Sequence, residues 1–219
     1  MTTMRMTIVA TAATLAALSS MTGAARATPA GDSALAAFAT AWAGVHTYTC
    51  TITAHEVKGR DVQDRVYHLA YMRPNNMRMD IVGGAGRGGA AVWTGGDTLV
   101  GHQGGFLSFV KLHLNIHDPK AVSLRGKTVA QASFGALLDR IKSLKVSTID
   151  AKTANGRTTL TAQIAGAAPE KDVTSILLVF AANHLPVEYD EYQGATVVDH
   201  VLYSDYKGNV TLPDSTWRI

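Results

Sequence analysis

The sequence predicts an α+β fold in which a strongly curved antiparallel sheet of about nine to eleven strands carries two helices on its concave face. Two observations support this prediction. Most of the chain alternates apolar and polar residues in short runs joined by turn residues, as consecutive hairpins do. Only two long segments have helical spacing, and each carries a single apolar stripe. Because an antiparallel sheet of this kind has one apolar face, both stripes are expected to pack against it.

Residues 1–27 have the layout of a secretory signal peptide. Arg5 precedes an apolar run at residues 8–18, and Ala25-Arg26-Ala27 is a small-x-small cleavage signal. The apolar run is shorter than the roughly 20 residues of a membrane-spanning helix, which disfavours an N-terminal anchor. The sequence therefore predicts an exported, periplasmic protein whose mature chain, residues 28–219, forms one domain.

The net charge argues against nucleic-acid binding, and the cysteine count excludes an intramolecular disulfide. Without the two arginines of residues 1–27, 18 Lys and Arg stand against 17 Asp and Glu, so the mature chain is close to neutral. It has no tract of Lys and Arg, which argues against nucleic-acid binding. Cys50 is the only cysteine, so no intramolecular disulfide forms, and we expect a small buried apolar side chain there.

Two segments read as helices. Residues 31–45 are expected to form the first, with Asp32 or Ser33 as its N-cap and Gly44 at its end. Residues 128–144 are expected to form the second. The apolar stripes are Leu35, Phe38, Ala39 and Trp42 in the first helix, and Phe134, Leu137, Leu138, Ile141 and Leu144 in the second.

The remaining segments read as strands. Tyr48, Cys50 and Ile52 alternate with threonines, and Asn155-Gly156 is a hairpin signal between two later runs. The predicted strands are residues 46–57, 64–73, 77–82, 90–94, 98–103, 109–117, 145–151, 157–166, 173–182, 185–193 and 196–207.

The stretch "GAGRGG" at residues 84–89 has the spelling of a dinucleotide-binding loop. Such a loop must leave a strand and open a helix, with an acidic residue about 20 positions further on. The residues that follow are β-branched, aromatic and glycine-rich, and no such acid is present. The stretch therefore predicts a hairpin turn with Arg87 at its tip, and Gly95-Gly96 and Gly104-Gly105 predict the next two turns.

The histidines do not predict a metal site. His113 and His117 lie on a predicted strand, where a spacing of four residues separates them by about 13 Å. Two ligands of one zinc ion must lie much closer together. We interpret these two residues and His102 as polar-face histidines, and the sequence predicts no metal and no cofactor.

No catalytic motif is present, so the sequence predicts a protein that is not an enzyme. The acidic residues Glu188, Asp190 and Glu191 offer a possible acid–base pair. A solvated strand face explains them at least as well, because Glu188 and Asp190 alternate with Tyr189.

The segment from "YTCTITAHEVKGR" through "RPNNMRMDIVGGAGRGGAAVW" resembles an uncharacterised exported branch of the periplasmic lipoprotein carriers, the LolA/LolB-like proteins. The resemblance covers most of residues 33–205. It implies an unclosed half-barrel whose concave face, covered by helices, holds acyl chains. The implied cavity-lining residues are Tyr48, Ile52, Met72, Met77, Met79, Trp93, Leu99, Leu112, Leu114, Phe134 and Leu137. An arginine helps to hold the lid in that family, and the candidates for that role here are Arg73 and Arg78. Arg87, at the tip of the glycine turn, is a third rim candidate.

Three functions follow as hypotheses. The first is a monomeric protein that binds a lipid or an acylated ligand in the cavity, for trafficking in the cell envelope, with a transient partner protein in the inner or outer membrane. The second is an envelope sensor or regulator that binds a protein partner through the same fold. The third is a hydrolase or metal enzyme. Met72, Met77 and Met79 suit a flexible apolar binding surface, and they suit core filling equally well.

Overall fold

The computed structural model describes residues 26–166 and 172–219. The predicted signal segment lies outside the described residues, apart from Arg26 and Ala27. The described chain forms one sheet of twelve strands with two α-helices. The strands are β1 (Arg26–Ala27), β2 (Thr47–Lys58), β3 (Asp61–Met72), β4 (Asn76–Gly84), β5 (Ala90–Trp93), β6 (Thr98–His102), β7 (Leu112–Asn115), β8 (Val146–Ala154), β9 (Arg157–Ile164), β10 (Ser175–Phe180), β11 (Pro186–Gln193) and β12 (Thr196–Gly208).

The strand order is β1-β8-β9-β10-β11-β12-β2-β3-β4-β5-β6-β7. The two-residue β1 pairs in parallel with β8, and all other neighbours are antiparallel. The edges β1 and β7 do not pair with each other, so the sheet is not closed. The predicted α+β half-barrel with two helices is therefore confirmed.

Helix α1 (Pro29–Ala43) begins earlier than expected, because its N-cap is Thr28 and not Asp32 or Ser33. The Thr28 hydroxyl accepts a hydrogen bond from the Gly31 N–H at 3.2 Å and donates one to Asp150 on β8 at 2.9 Å. One side chain thus satisfies an unpaired N–H of the first turn and attaches the helix to the sheet.

Helix α2 (Phe134–Ser143) is capped by Ser133, whose hydroxyl accepts from the Ala136 N–H at 3.1 Å. It is shorter than predicted because residues 129–132 form a separate 3₁₀ turn. Gly135 allows α2 to approach α1 closely, since a Cβ atom there would lie 2.9 Å from the Trp42 ring. The buried residues of α2 are Phe134, Leu137, Leu138 and Ile141, as predicted.

The predicted turns at residues 84–89, 95–96 and 155–156 each join two antiparallel strands. Strand β7 is shorter than the predicted 109–117, and Val110 and Ile116 lie outside it. It is an edge strand whose ladder with β6 extends only from Leu112 to Asn115. Neither described helix is long and apolar enough to cross a membrane.

Candidate ligand cavity

A cavity of about 1140 Å³ lies on the concave face of the sheet. Its wall is formed by inward residues of β2–β7, β11 and β12, and α2 borders it. Residues 120–132, here termed the covering segment, line it as well. Proteins commonly bind small ligands in cavities of about 300–1,000 Å³. This cavity is large enough for a long flexible molecule.

Six of the predicted lining residues lie in the cavity wall, five of them through strand alternation and Leu137 through helix α2. Their neighbours are set by register, because Ile52 is opposite Tyr67, Tyr67 is opposite Ile81, and Leu99 is opposite Leu114. The six are Ile52, Met79, Leu99, Leu112, Leu114 and Leu137. Further apolar wall residues, which the resemblance did not suggest, are Ile81, Ala91, Val129 and Val201.

The five other predicted lining residues lie outside this cavity. Tyr48 and Phe134 are fully buried beside it, with their rings stacked at 4.9 Å. Met77 and Trp93 line a smaller cavity of about 240 Å³ beside α2. Met72 follows the inward Tyr71 on β3, so alternation directs it to the opposite face of the sheet.

Two of the three predicted rim arginines, Arg73 and Arg78, form hydrogen bonds away from the main cavity. Arg73 donates to the carbonyls of Val45 (2.6 Å) and Trp42 (2.8 Å) and therefore caps the C-terminal end of α1. Arg78 pairs with Asp80 at 2.8 Å and donates to the Arg218 carbonyl, also at 2.8 Å, near the C-terminus. Neither residue lines the main cavity, whereas Arg87 does.

Arg87 lies in the glycine turn, which borders the cavity. Gly84, Gly86 and Gly88 have φ values of +74°, +77° and +85°, which allow the reversal between β4 and β5. Arg65 on β3 supports the turn, because its Nε donates to the Ala85 carbonyl at 3.1 Å. The motif therefore has the strand–turn–strand context predicted for it.

A buried ionic cluster at one end of the cavity is the main feature that sequence reasoning missed. Glu191 has no exposed surface. Its Oε1 accepts from Lys127 Nζ, Arg140 Nη2 and the Tyr189 hydroxyl, each at 2.8 Å. Lys127 also pairs with the buried Asp199. Arg140, Lys127, Tyr189 and Asp199 line the cavity, so this end is polar while the wall formed by β4–β7 is largely apolar.

Further polar contacts next to this cluster hold the covering segment against the sheet. The Ser123 hydroxyl donates to Glu56 Oε1 at 2.6 Å, and the Leu124 N–H donates to Gln63 at 3.2 Å. Arg125 donates to the Val57 carbonyl at 2.9 Å and pairs with Asp172 at 3.0 Å. Four consecutive strands of the sheet, β11, β12, β2 and β3, thus contact one loop through polar side chains.

Burial and charge shift the pKa values of this cluster in opposite directions. Burial lowers the pKa of Lys127, but the charges of Glu191 and Asp199 outweigh burial and raise it. For Glu191, burial raises the pKa, and the cations Lys127 and Arg140 outweigh burial and lower it. For Asp199, burial dominates and raises the pKa to about 6, in spite of Lys127.

Replacing Asp199 by asparagine is expected to remove part of the pH dependence of stability. An acid whose pKa rises from 3.8 to about 6 on folding binds its proton more tightly in the folded state. The contribution of Asp199 to the free energy of unfolding of wild type therefore falls as the pH rises from about 4 to about 6. Asparagine does not titrate, so Asp199→Asn should gain about 2 kcal/mol on wild type between about pH 4 and about pH 7. Urea unfolding of both proteins at the two pH values measures this gain, and a difference independent of pH would contradict it.

The acidic residues of β11 divide between the two faces of the sheet. Glu191 shares the inner face with Tyr189 and is fully buried, so a solvated face is wrong for it. Asp190 is also buried, although it lies on the outer face, where the Tyr192 hydroxyl donates to it at 3.2 Å. The interpretation held only for the half-buried Glu188. The sequence did carry a signal for Glu191. Alternation puts Glu191 on the same face as Tyr189, and one of the two faces of β11 had to face the core.

Three side chains on the outer face have donor atoms close enough to hold a metal ion. Each of Glu188, Asp190 and His200 offers one ligand atom, and these atoms all lie within 4.8 Å of one another. His200 Nδ1 already contacts Asp190 Oδ1 at 2.6 Å, which explains the arrangement without a metal. The histidines considered from the sequence, His113 and His117, are exposed.

No protein-family model and no curated protein matches this chain. Solved structures do. A DUF1329 family protein from Desulfovibrio piger aligns at 10% identity and a TM-score of 0.44, over 87% of this chain and 98% of its own. A LolA superfamily protein from Nitrosomonas europaea aligns at 13% identity and a TM-score of 0.41, over 88% and 99%. Lipoprotein LppX from Mycobacterium tuberculosis aligns at 13% and 0.41, over 83% and 99%.

Proposed function

We propose that this chain is an exported periplasmic protein that binds a lipid or an acylated ligand in its half-barrel cavity. The observation that supports the proposal is the cavity of about 1140 Å³, with its largely apolar wall on β4–β7. Single-domain proteins normally fill such a space with side chains, because interiors are close-packed. An open apolar cavity of this size is the feature expected of a protein whose ligand completes the core.

The driving force is the removal of acyl chains from water. Each methylene that enters an apolar wall contributes roughly 0.8 kcal/mol. Several kcal/mol of this gain are offset by the lost translational and conformational freedom of the ligand. A chain of many methylenes is therefore needed for tight binding. The cavity volume of about 1140 Å³ fits such a chain better than it fits a small apolar ligand.

The distribution of polar groups favours an amphiphilic ligand. Register places Leu99, Leu114 and Met79 toward one end of the strands, and Glu56 and Asp199 at the other end. Lys127 borders the cavity beside Asp199, and Arg140 borders it beside Glu191. We infer that acyl chains occupy the apolar end and that the polar group of the ligand lies near the ionic cluster.

Polar side chains in the wall are expected to weaken ligand binding. In the double variant Leu112→Asn/Leu114→Asn, two amides face the acyl chain without hydrogen-bond partners, at about 1–3 kcal/mol each. The dissociation constant of a dansyl-labelled fatty acid should therefore rise at least about tenfold. Fluorescence titration of the delipidated protein measures it, and mass spectrometry of the untreated protein identifies any co-purifying lipid.

Leu202→Asn is the matched control. Leu202 is 39% exposed and lies on the outer face of β12, so its replacement should leave the affinity unchanged. Absence of lipid from the untreated protein together with no uptake of the labelled fatty acid would contradict the proposal. That result would favour the alternative of an envelope regulator that binds a protein partner.

A further inference from the structure

The loop between β6 and β7, residues 103–111, exposes two aromatic side chains. Phe106 is 88% exposed and Phe109 is 72% exposed, the two highest values among the large exposed hydrophobic residues. The two rings contact each other edge to face, with centroids 5.9 Å apart. Val110 beside them is 37% exposed. Neighbouring apolar side chains that remain in water mark an interaction site more often than single exposed residues do.

This loop lies at the margin of the ligand cavity. Gln103, Gly104 and Leu112 line the cavity on either side of the aromatic pair. The backbone of the loop packs on the glycine turn, because a Cβ atom at Gly104 would overlap the Arg87 carbonyl. Strand direction puts both loops at the end of the sheet that also carries Glu56 and Asp199. The exposed aromatic pair and the polar end of the cavity therefore belong to the same end of the half-barrel.

The charge around the aromatic pair is positive. Arg87, Lys111 and Lys120 are exposed, and Arg87 and Lys120 line the cavity. Residues 81–89 and 102–115 contain no Asp or Glu. Asp64, whose carbonyl accepts from the Ala85 N–H of the glycine turn, and Asp118, whose side chain accepts from the Lys120 N–H, are carboxylates near this surface. Exposed aromatic rings bordered by cations match the surface of an anionic bilayer, where rings enter the acyl boundary and cations meet the headgroups.

We propose that residues 103–111, together with Arg87 and Lys120, dock this protein on an anionic lipid bilayer. Phe106 and Phe109 insert at the interface, and the margin of the cavity then faces the membrane. The proposal rests on the proposed function for its purpose, since docking in this orientation brings the cavity to the lipid. The docking itself requires only the exposed loop and its charge, so it is testable without any cargo.

Vesicle flotation tests the docking. Delipidated protein is mixed with phosphatidylcholine vesicles, with or without phosphatidylglycerol, at low salt. We expect binding to the anionic vesicles. Phe106→Ser/Phe109→Ser should reduce this binding at least about tenfold, because the two rings that insert into the bilayer are lost. Arg87→Gln/Lys111→Gln should reduce binding to anionic vesicles and weaken its dependence on salt. Leu202→Ser is the control, since Leu202 is 39% exposed on the outer face of β12, away from this loop.

Two readouts separate docking from cavity binding. The phenylalanine double variant should take up the dansyl-labelled fatty acid from solution as wild type does, which also shows that it is folded. The Leu112→Asn/Leu114→Asn variant should keep vesicle binding while losing uptake. In a Phe106→Trp variant, the fluorescence of the new indole should shift to the blue when anionic vesicles are added.

Three results would overturn the docking proposal. They are no association of wild type with anionic vesicles, equal association of the phenylalanine variant, or equal loss in the Leu202→Ser control. Fatty-acid uptake that persists alongside any of these results would leave the proposed function standing and assign the loop to a protein partner instead.

Discussion

Replacing Phe134 by alanine is expected to lower the free energy of unfolding by about 3–5 kcal/mol, with a fall in Tm of roughly 10 °C. Phe134 is the first residue of α2 and has no exposed surface. Its ring stacks on Tyr48 at 4.9 Å and contacts Tyr203 edge to face at 5.1 Å. Trp42 of α1 also lies against it, at 6.3 Å. The substitution removes the ring at which both helices and the sheet meet, and the surrounding rings are too rigid to fill the space.

The loss should be specific to this position. Phe106→Ala is the matched control, because the same atoms are removed from a ring that is 88% exposed. It should change the free energy of unfolding by less than about 0.5 kcal/mol. Urea unfolding at neutral pH, followed by circular dichroism, measures both variants. Equal losses for the two variants would contradict the assignment of Phe134 to the packed core.

Replacing Glu191 by glutamine is expected to lower the free energy of unfolding at neutral pH by about 3–5 kcal/mol. The carboxylate accepts hydrogen bonds from Lys127, Arg140 and Tyr189, and Arg125 Nε lies 3.8 Å from its second oxygen. Glutamine has nearly the same shape but no charge, so buried cations lose their principal counter-ion. Its amide nitrogen is also a donor where only donors surround it.

The effect of Glu191→Gln should shrink as the pH falls. The pKa of Glu191 is lowered in the folded protein, so the carboxylate stabilises the fold above its ordinary value of 4.5. This contribution is lost as the pH falls through the folded-state pKa, where wild type and variant are both neutral at this position. Urea unfolding at neutral pH and in acid measures the change.

Glu188→Gln is the control for the buried site. Glu188 lies on the same strand but on the opposite face and is half-buried, so its replacement should cost little. A loss for Glu191→Gln no larger than that of the control would show that the buried cluster does not stabilise the fold. Because Lys127 belongs to the covering segment, the Glu191 variant should also expose residues 120–132 to proteolysis sooner than wild type.

The fold class could be predicted because it depends on local patterns. Alternation of period two in residues 46–57, followed by the turn at Gly59, requires a strand and a reversal whatever else surrounds them. The glycine turn at residues 84–89 was identified in the same way, since its neighbours could form strands but not a helix. Four residues of the predicted stripe are the buried residues of α2, and the fifth, Leu144, is its buried C-cap. Amphipathic spacing could predict them because it specifies which side chains must leave water.

The site could be predicted only in part, because alternation assigns a side chain to a face and not to a depth. Tyr48 and Leu114 both lie on the inner face, yet Tyr48 is packed among other rings while Leu114 borders empty space. Met72 differs again, since its position after Tyr71 already placed it on the other face, and the sequence prediction passed over that parity. Tertiary packing decides which side chains lie opposite an inward residue. The sizes of those side chains then determine whether the residue fills the core or lines a cavity.

The sequence by itself determined the strands, the turns and the apolar stripes of this protein, because these follow from backbone geometry and from the burial of apolar side chains along neighbouring residues. Only the tertiary structure decided where the cavity lies and which charges border it. Glu56, Lys127 and the hairpin pair Glu191 and Asp199 come from three distant parts of the chain. They meet only when β2, the covering segment and the β11–β12 hairpin pack together. A buried charge is stable only beside its counter-ion, and a partner from a distant element cannot be read from local sequence.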